Sequence, residues 1–241
     1  MINAMIFAAG LGTRLKPLTD TMPKAMVPFR GKPLLWHSIK SVEKAGAERV
    51  VVNVHHFSEQ IIDYIKQETW NSEVVISDER NELLDTGGGL IKATPLFIEN
   101  KPVLIRNADI ITSYNLKELV NSHTMQGCDA SLLVMKRKSS RYLIFDDNMI
   151  LSGWKNVSTG ETITIRDSDS QNDFGFCGIQ ILNYDFIRNL GEQRKFSIVK
   201  GYLNTGAGTD IKGIVLPKQH SWFDVGSAEK LKEAEHFHFS K

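Results

Sequence analysis

Ala8-Ala9-Gly10-Leu11-Gly12-Thr13-Arg14-Leu15 leaves a short apolar run, Met5 to Ala9, and leads on through Lys16-Pro17 to Pro23-Lys24. The run reads as a buried first strand. Gly10 and Gly12 let backbone N–H groups converge on an anion, and Arg14 with Lys24 adds two cations within reach of the same volume. Such a turn suits a triphosphate. A glycine turn without a ligand is the bland alternative, and the two cations weigh against it. A dinucleotide-binding fingerprint needs a third small residue where Leu15 stands, and Lys16-Pro17 blocks the helix that would receive a pyrophosphate. The Walker lysine pattern is also absent, so NAD-binding and P-loop readings both weaken.

Outward from that stretch, β-rich runs alternate with helical patterns, the rhythm of βαβ units feeding a parallel sheet. The spacing predicts a helix from Pro33 to a stop at Gly46, a strand over Val50 to Val54, and a helix capped by Ser58 with Ile61, Ile62 and Ile65 on one face. Val74 to Ser77 reads as a third strand. Thr86-Gly87-Gly88-Gly89 opens a short helix ended by Pro95, and Val103 to Asn107 is a strand with Asp109 just past its carboxyl end, where open α/β sheets bind ligands. From about Asp129 the texture changes. Ala130 to Met135, Leu143 to Phe145, Ile150 to Gly153 and Ile163 to Ile165 suggest an antiparallel flap, with Asp147-Asn148 as a hairpin turn and a mobile loop over 156–172. Phe174 to Leu182 and Ile211 to Leu216 return as strands, and Ser227 caps a closing helix. The expectation is one α/β unit over 1–241: a Rossmann-like, mostly parallel sheet flanked by helices, with a small antiparallel lobe. Residues 1–128 form one half and 129–241 the other.

Composition narrows the classes. The 241 residues carry 29 Lys+Arg against 28 Asp+Glu, so no chain-wide field attracts a polyanion. Trp36, Trp70, Trp154 and Trp222 are scattered rather than interleaved with arginines, so no nucleic-acid face emerges. The apolar run near the N-terminus meets Gly10 and Arg14 too soon for a membrane span. Cys128 and Cys177 are too few for a disulfide framework and suit a reducing compartment, so the expected location is cytoplasmic. His55-His56 and the pair His236, His238 lack acidic or cysteine companions at metal spacing. Oligomeric state, a homo-oligomer included, stays open.

The stretch from Ala8 to Thr19, continuing to Pro23-Lys24-Ala25-Met26-Val27-Pro28, closely resembles the signature of sugar-1-phosphate nucleotidyltransferases. The resemblance extends in order through Asp85-Thr86-Gly87-Gly88-Gly89, Asn107-Ala108-Asp109, Phe176-Cys177-Gly178-Ile179 and Phe223-Asp224-Val225-Gly226. It is greatest to the short branch that includes N-acetylmuramate-1-phosphate uridylyltransferases, with mannose-1-phosphate guanylyltransferases close behind. The resemblance implies a GT-A-like fold and Mg²⁺-dependent transfer of a nucleotidyl group from a nucleoside triphosphate to a sugar 1-phosphate. It implies that Ala9, Gly10, Leu11, Gly12 and Thr13 wrap the triphosphate, that Arg14 holds the departing pyrophosphate, and that Lys24 sits near the α-phosphate. Asp109 and Asp224 match the pair that holds Mg²⁺, while Thr86, Gly87, Gly88 and Asn107 match nucleotide contacts, with Gly88 bare against a base edge.

On the sugar side, Gly178 matches the glycine beside the hexose, with Phe176 on the same wall or, alternatively, packed in the core with Phe174 and Ile179. Lys155 stands where many relatives bind the sugar phosphate, with a solvated hairpin lysine as its alternative. The chain departs from the pattern in three places. Asp85 stands for the usual glutamate, Ala108 for a Gly or Ser, and Ser140-Arg141-Tyr142-Leu143 for the acidic Gly-Asp-Phe turn of muramate-type members. Mannose- or heptose-1-phosphate guanylyl transfer, phosphocholine cytidylyl transfer and a non-catalytic nucleotide-sugar sensor are the competing readings.

Overall fold

The computed structural model describes residues 1–168, 170–192 and 194–237. In chain order, β1 (Ile2–Phe7) is followed by single helical turns, then β2 (Pro28–Phe29), β3 (Lys32–Pro33), α1 (Leu34–Lys44), β4 (Ala47–Val54) and α2 (Ser58–Gln67). Next come β5 (Glu73–Asp78), α3 (Asp85–Ala93), β6 (Val103–Asn107), β7 (Ile110–Thr112), α4 (Leu116–Gln126) and β8 (Ala130–Met135). The rest is β9 (Arg141–Phe145), β10 (Leu151–Asn156), β11 (Glu161–Thr164), β12 (Asn172–Leu182), α5 (Tyr184–Arg188), α6 (Ile198–Thr205), β13 (Ile211–Val215), β14 (Trp222–Asp224) and α7 (Ala228–His236).

The central sheet runs β5-β4-β1-β6-β12-β8-β13. All its pairings are parallel except the two made by β12. Helices cover both faces, so each strand buries both sets of its alternating side chains. Ala4 and Ile6 of β1 join Val50, Val52 and Val54 of β4 under α1 and α2, while Met5 and Val51 point the other way, toward Leu90 of α3 and Tyr202 of α6. α1 presents Leu35, Ile39 and Val42 at helical spacing to the first of these cores. A third, smaller core gathers Leu15, Val27, Phe29, Leu34, Val225 and Leu231. It ties the loop after β1 to the closing helix.

The parallel half matches the expectation closely, and the second half differs. Ala130 to Met135 is no part of a flap: β8 lies in the central sheet between β12 and β13, with Ala130, Leu132, Leu133 and Val134 wholly buried. Among the described residues, β9, β10 and β11 form the antiparallel lobe, held to the amino end of β12. The segment expected to be a mobile loop includes β11, which pairs with β10 from Gly153 to Asn156. At the β9–β10 turn, the Asp146 carboxylate accepts from the N–H groups of Asn148 and Ile150. Ser58 is the buried first residue of α2 rather than its cap, because Phe57 takes the left-handed conformation before it. Ser227 caps α7 as expected, accepting from Lys230 N–H.

Under α4, buried His123 bonds Ser131 Oγ through Nδ1 (3.0 Å) and Asn183 Oδ1 through Nε2 (3.0 Å). Burial lowers its pKa below 6.5. Its stabilising contribution is therefore present above pH 6.5 and is lost as pH falls through the lowered folded value, since the unfolded chain takes up the proton first. His123→Gln is expected to shrink the drop in Tm between pH 7.5 and pH 5.5 relative to wild type. An equal drop in both proteins would remove this assignment.

Candidate active site

The loops that leave the carboxyl ends of β1, β5 and β6 meet on one edge of the sheet. They line a cavity of about 330 Å³. The central wall is Ala8, Ala9 and Gly10; the β6 side supplies Asn107 and Asp109 with Lys24 beside them. On the β5 side lie Glu79, Leu83, Asp85 and Thr86, with Lys195.

The loop after β1 is shaped by its glycines. Gly12 takes φ +66°, and an ideal Cβ there would lie 2.9 Å from Thr19 Cγ2 and 3.0 Å from Lys24 Cβ. Thr19 Oγ1 donates to Gly12 O (2.8 Å), which fixes the turn. At Gly10 the picture reverses, because nothing lies within 4 Å of a would-be Cβ. Thr13–Leu15 is a single helical turn whose Leu15 is fully buried in the third core. The residue that spoils a dinucleotide fingerprint is thus a packing anchor, and the guanidinium of Arg14 beside it lies next to Gly226.

Asp109 and Asp224, 115 positions apart in sequence (224 − 109), become neighbours because β7 and β14 pair, Asp224 opposite Ile110. Val225 N–H donates to Asp109 O (2.9 Å) and Gly226 N–H to Asp224 Oδ1 (3.0 Å). Lys24 Nζ is ion-paired with Asp109 Oδ2, both side chains largely buried. An ideal Cβ on Gly226 would lie 2.7 Å from Arg14 Nη2, 2.7 Å from Asp224 Oδ1 and 3.0 Å from Lys24 Nζ. Two cations and two carboxylates therefore gather about the bare backbone of Gly226; Lys24 and Asp109 line the cavity, whereas Arg14 and Asp224 are not among its lining residues. Such a cluster can neutralise a polyanion on one side and present hard oxygen donors on the other. Among the described residues no group of three or more His, Cys, Asp or Glu side chains could hold a metal.

The glycine motif of α3 has a different geometry from the one expected. Gly87 and Gly88 donate from their N–H groups to Phe196 O (2.9 and 3.3 Å). A Cβ on Gly88 would lie 2.1 Å from Arg194 O and one on Gly87 2.3 Å from the Phe196 ring. The chain at 194–196 occupies the space that the sequence reading left for a base edge. Asp85, at φ +59°, and Thr86 are the motif residues that line the cavity.

In β12, Gly178 sits at φ +71° where the register with β8 shifts, and a Cβ there would press on Asn107 Nδ2, at the end of β6, at 2.9 Å. Phe176 packs against the second core and its carbonyl accepts from Arg137. Lys155 is ion-paired with Asp173 and lies 5.9 Å from the Tyr142 ring centre, away from the cavity walls. Thr13 and Leu11 are exposed at the loop. Sequence reasoning missed Asn53, Glu79 and Lys195 as cavity residues. Asn53 ends a strand already read as such, and nothing local in the chain aims its side chain at the next strand's loop.

Cys128 and Cys177 are buried thiols, with burial pushing Cys177 up to about 12, so neither is a nucleophile near neutral pH. His55 Nδ1 bonds Glu79 O and His56 packs on Phe57, while His238 lies outside the described residues. Among the described residues, no helix is long and apolar enough to cross a membrane.

Sheet-edge loops, an open glycine turn and a cluster of paired charges are the parts of an open α/β protein built to receive an anionic ligand. Residues 3–144, more than half of the chain, match the family model for nucleotidyl transferase. The chain belongs to that family. It is 42% identical over 111 residues to the N-acetylmuramate alpha-1-phosphate uridylyltransferase of Caulobacter vibrioides, covering 45% of this chain and 46% of that protein. It is 33% identical over 138 residues to mannose-1-phosphate guanylyltransferase 1 of Arabidopsis thaliana, covering 56% of this chain and 38% of the relative. In both cases the match spans less than half of the curated relative. HddC of Yersinia pseudotuberculosis, solved in complex with GMP-PN, superposes with a TM-score of 0.75 at 25% identity over 98% of each chain.

Proposed function

We propose that this chain transfers a nucleotidyl group from a nucleoside triphosphate to a sugar 1-phosphate, yielding a nucleoside diphosphate sugar and pyrophosphate. The observation that carries the reading is the cluster of Arg14, Lys24, Asp109 and Asp224, of which Lys24 and Asp109 line the same cavity as Gly10. The sugar phosphate has a second pKa near ~6, so its attacking oxygen is ionised at neutral pH and needs no general base. That oxygen forms a bond to the α-phosphorus while the bond from the α-phosphorus to the bridging oxygen breaks, and pyrophosphate leaves with the electron pair. The loop amides of Gly10, Leu11 and Gly12 hold the triphosphate, with Ala9 and Thr13 flanking them; Arg14 binds the leaving pyrophosphate, and Lys24 offsets charge at the α-phosphate. Thr86, Gly87, Gly88 and Asn107 belong to the nucleotide side, the two glycines through their hold on residues 194–196, and Gly178, Phe176 and Lys155 to the sugar side.

The two carboxylates suit magnesium, which takes one or two carboxylates together with substrate phosphate oxygens and water. Bound there it would supply charge neutralisation at the phosphates. Residues 1–128 act as the nucleotide-binding half and 129–241 as the sugar-binding half of one cytoplasmic unit.

The first donor and acceptor to test are UTP and N-acetylmuramate 1-phosphate, because the identity to the Caulobacter uridylyltransferase exceeds that to the guanylyltransferase. GTP with mannose or heptose 1-phosphate comes second. Pyrophosphate release with Mg²⁺ is expected to require one triphosphate and one sugar phosphate together. A folded protein that releases none, across UTP, GTP, CTP, dTTP and ATP with mannose, glucose, N-acetylglucosamine, heptose and N-acetylmuramate 1-phosphates, would refute the reading.

A further inference from the structure

Asn53, at the end of β4, reaches under the loop that follows β1. Its Oδ1 accepts from Ala8 N–H (2.7 Å) and Ala9 N–H (3.3 Å), and its Nδ2 donates to Glu79 Oε1 (2.8 Å). The other carboxylate oxygen, Glu79 Oε2, accepts from Leu84 N–H (3.2 Å), at the entry to α3. Asn53 and Glu79 are both buried, and both line the cavity. Gly89 is bare where they meet: a Cβ on it would lie 2.6 Å from Glu79 Oε1 and 3.3 Å from Asn53 Nδ2.

The partners of Asn53 determine its orientation. Asn53 faces two backbone donors on one side and a carboxylate on the other, so its carbonyl oxygen must point to Ala8 and Ala9. Glu79 in turn faces two donors, which only a carboxylate can satisfy with both oxygens. We propose that Asn53 is a positioning residue for nucleotidyl transfer: oriented by Glu79, it holds the start of the glycine loop so that the later amides of that loop face the phosphates, and it couples this loop to the entry of α3. The proposal rests on the function given above, since it names how the same site is held.

The pair allows a swap of donor and acceptor. Glu79→Gln alone sets one amide N–H against another donor, and Asn53→Asp alone sets two carboxylates face to face. Together, the introduced amide donates to the introduced carboxylate and still accepts from Leu84, while Ala8 and Ala9 keep their acceptor. In pyrophosphate-release assays each single variant is expected to raise KM for the triphosphate by about tenfold or more, with a smaller change in kcat, and the double variant to return KM to within about threefold of wild type. Hydrogen–deuterium exchange of the peptide covering residues 5–15 gives a readout independent of turnover: faster in each single variant, restored in the double.

A purely structural role would lower Tm in the single variants while leaving KM of the folded protein and exchange in residues 5–15 at wild-type values, and that result would overturn the proposal. Should the single variants not fold, a folded double variant with wild-type KM and exchange supports it, and a folded double variant with fast exchange in residues 5–15 overturns it. Absence of turnover in the wild type would strike the proposed function alone, because the exchange comparison still decides whether Glu79 and Asn53 hold the loop.

Discussion

Asp109→Asn is expected to lower pyrophosphate release on the order of 10³-fold at saturating magnesium, a loss of about 4 kcal/mol in transition-state stabilisation. The substitution keeps the side chain's size and removes its charge. Asp109 is the acidic partner of Lys24, and its strand neighbour across β7 and β14 brings Asp224 alongside. Without the carboxylate the site loses one of two anionic oxygen donors, and Lys24 loses the charge that holds its ammonium at the cavity wall. Because these groups act as a unit, Lys24→Met is expected to cost a comparable factor, and the double variant little more than either single one. The ion pair is largely buried, so removing one partner leaves the other charge uncompensated and Tm is expected to fall as well; the rates are therefore compared at a temperature where both proteins are folded. Turnover of Asp109→Asn within about tenfold of wild type would show that the charge cluster is not where the chemistry happens.

Gly88→Ala carries the largest expected effect on stability. The new Cβ would meet Arg194 O at 2.1 Å and Leu84 Cβ at 3.0 Å, and the first of these is backbone, which cannot step aside as a long side chain can. Relief requires the 194–196 segment to leave α3, giving up the bonds from Gly87 and Gly88 N–H to Phe196 O. Overpacking of this kind costs about 3 kcal/mol. For a chain of this length that corresponds to a fall in Tm of roughly 6–12 °C in thermal unfolding. Gly10→Ala is the contrasting case. Its Cβ would enter open space, so Tm is expected to hold while KM for the triphosphate rises as the methyl group competes with the phosphates. An unchanged Tm in Gly88→Ala would mean that the strap over α3 yields freely.

Short continuous apolar runs separated by helical patterns made the parallel half of the sheet legible in the chain, since strands buried on both faces carry no polar side to alternate with. The same property misled at Ala130 to Met135. That run reads equally well as a flap strand, and its place between β12 and β13 is set by partners that lie far along the sequence. The helix Leu116–Gln126 went unread although Asn115 caps it and Gly127 closes it at φ +60°, because its apolar stripe is thin: Leu116, Leu119 and His123 are its buried residues.

At the site, the glycine turn with Arg14 and Lys24, and Asp109 past the end of its strand, were visible because each depends on a few consecutive residues and on the rule that ligands gather at carboxyl ends of parallel strands. The sequence by itself determined the parallel α/β framework, the glycine loop after the first strand and the identity of the charged groups near it. Only the tertiary structure decided that Asp224 and Arg14 meet at Gly226, that Gly87 and Gly88 answer to residues 194–196, and that Asn53 and Glu79 hold the loop from behind. Local propensity and periodicity act over a few residues, whereas those contacts are made by strand pairing and close packing between segments distant in the chain.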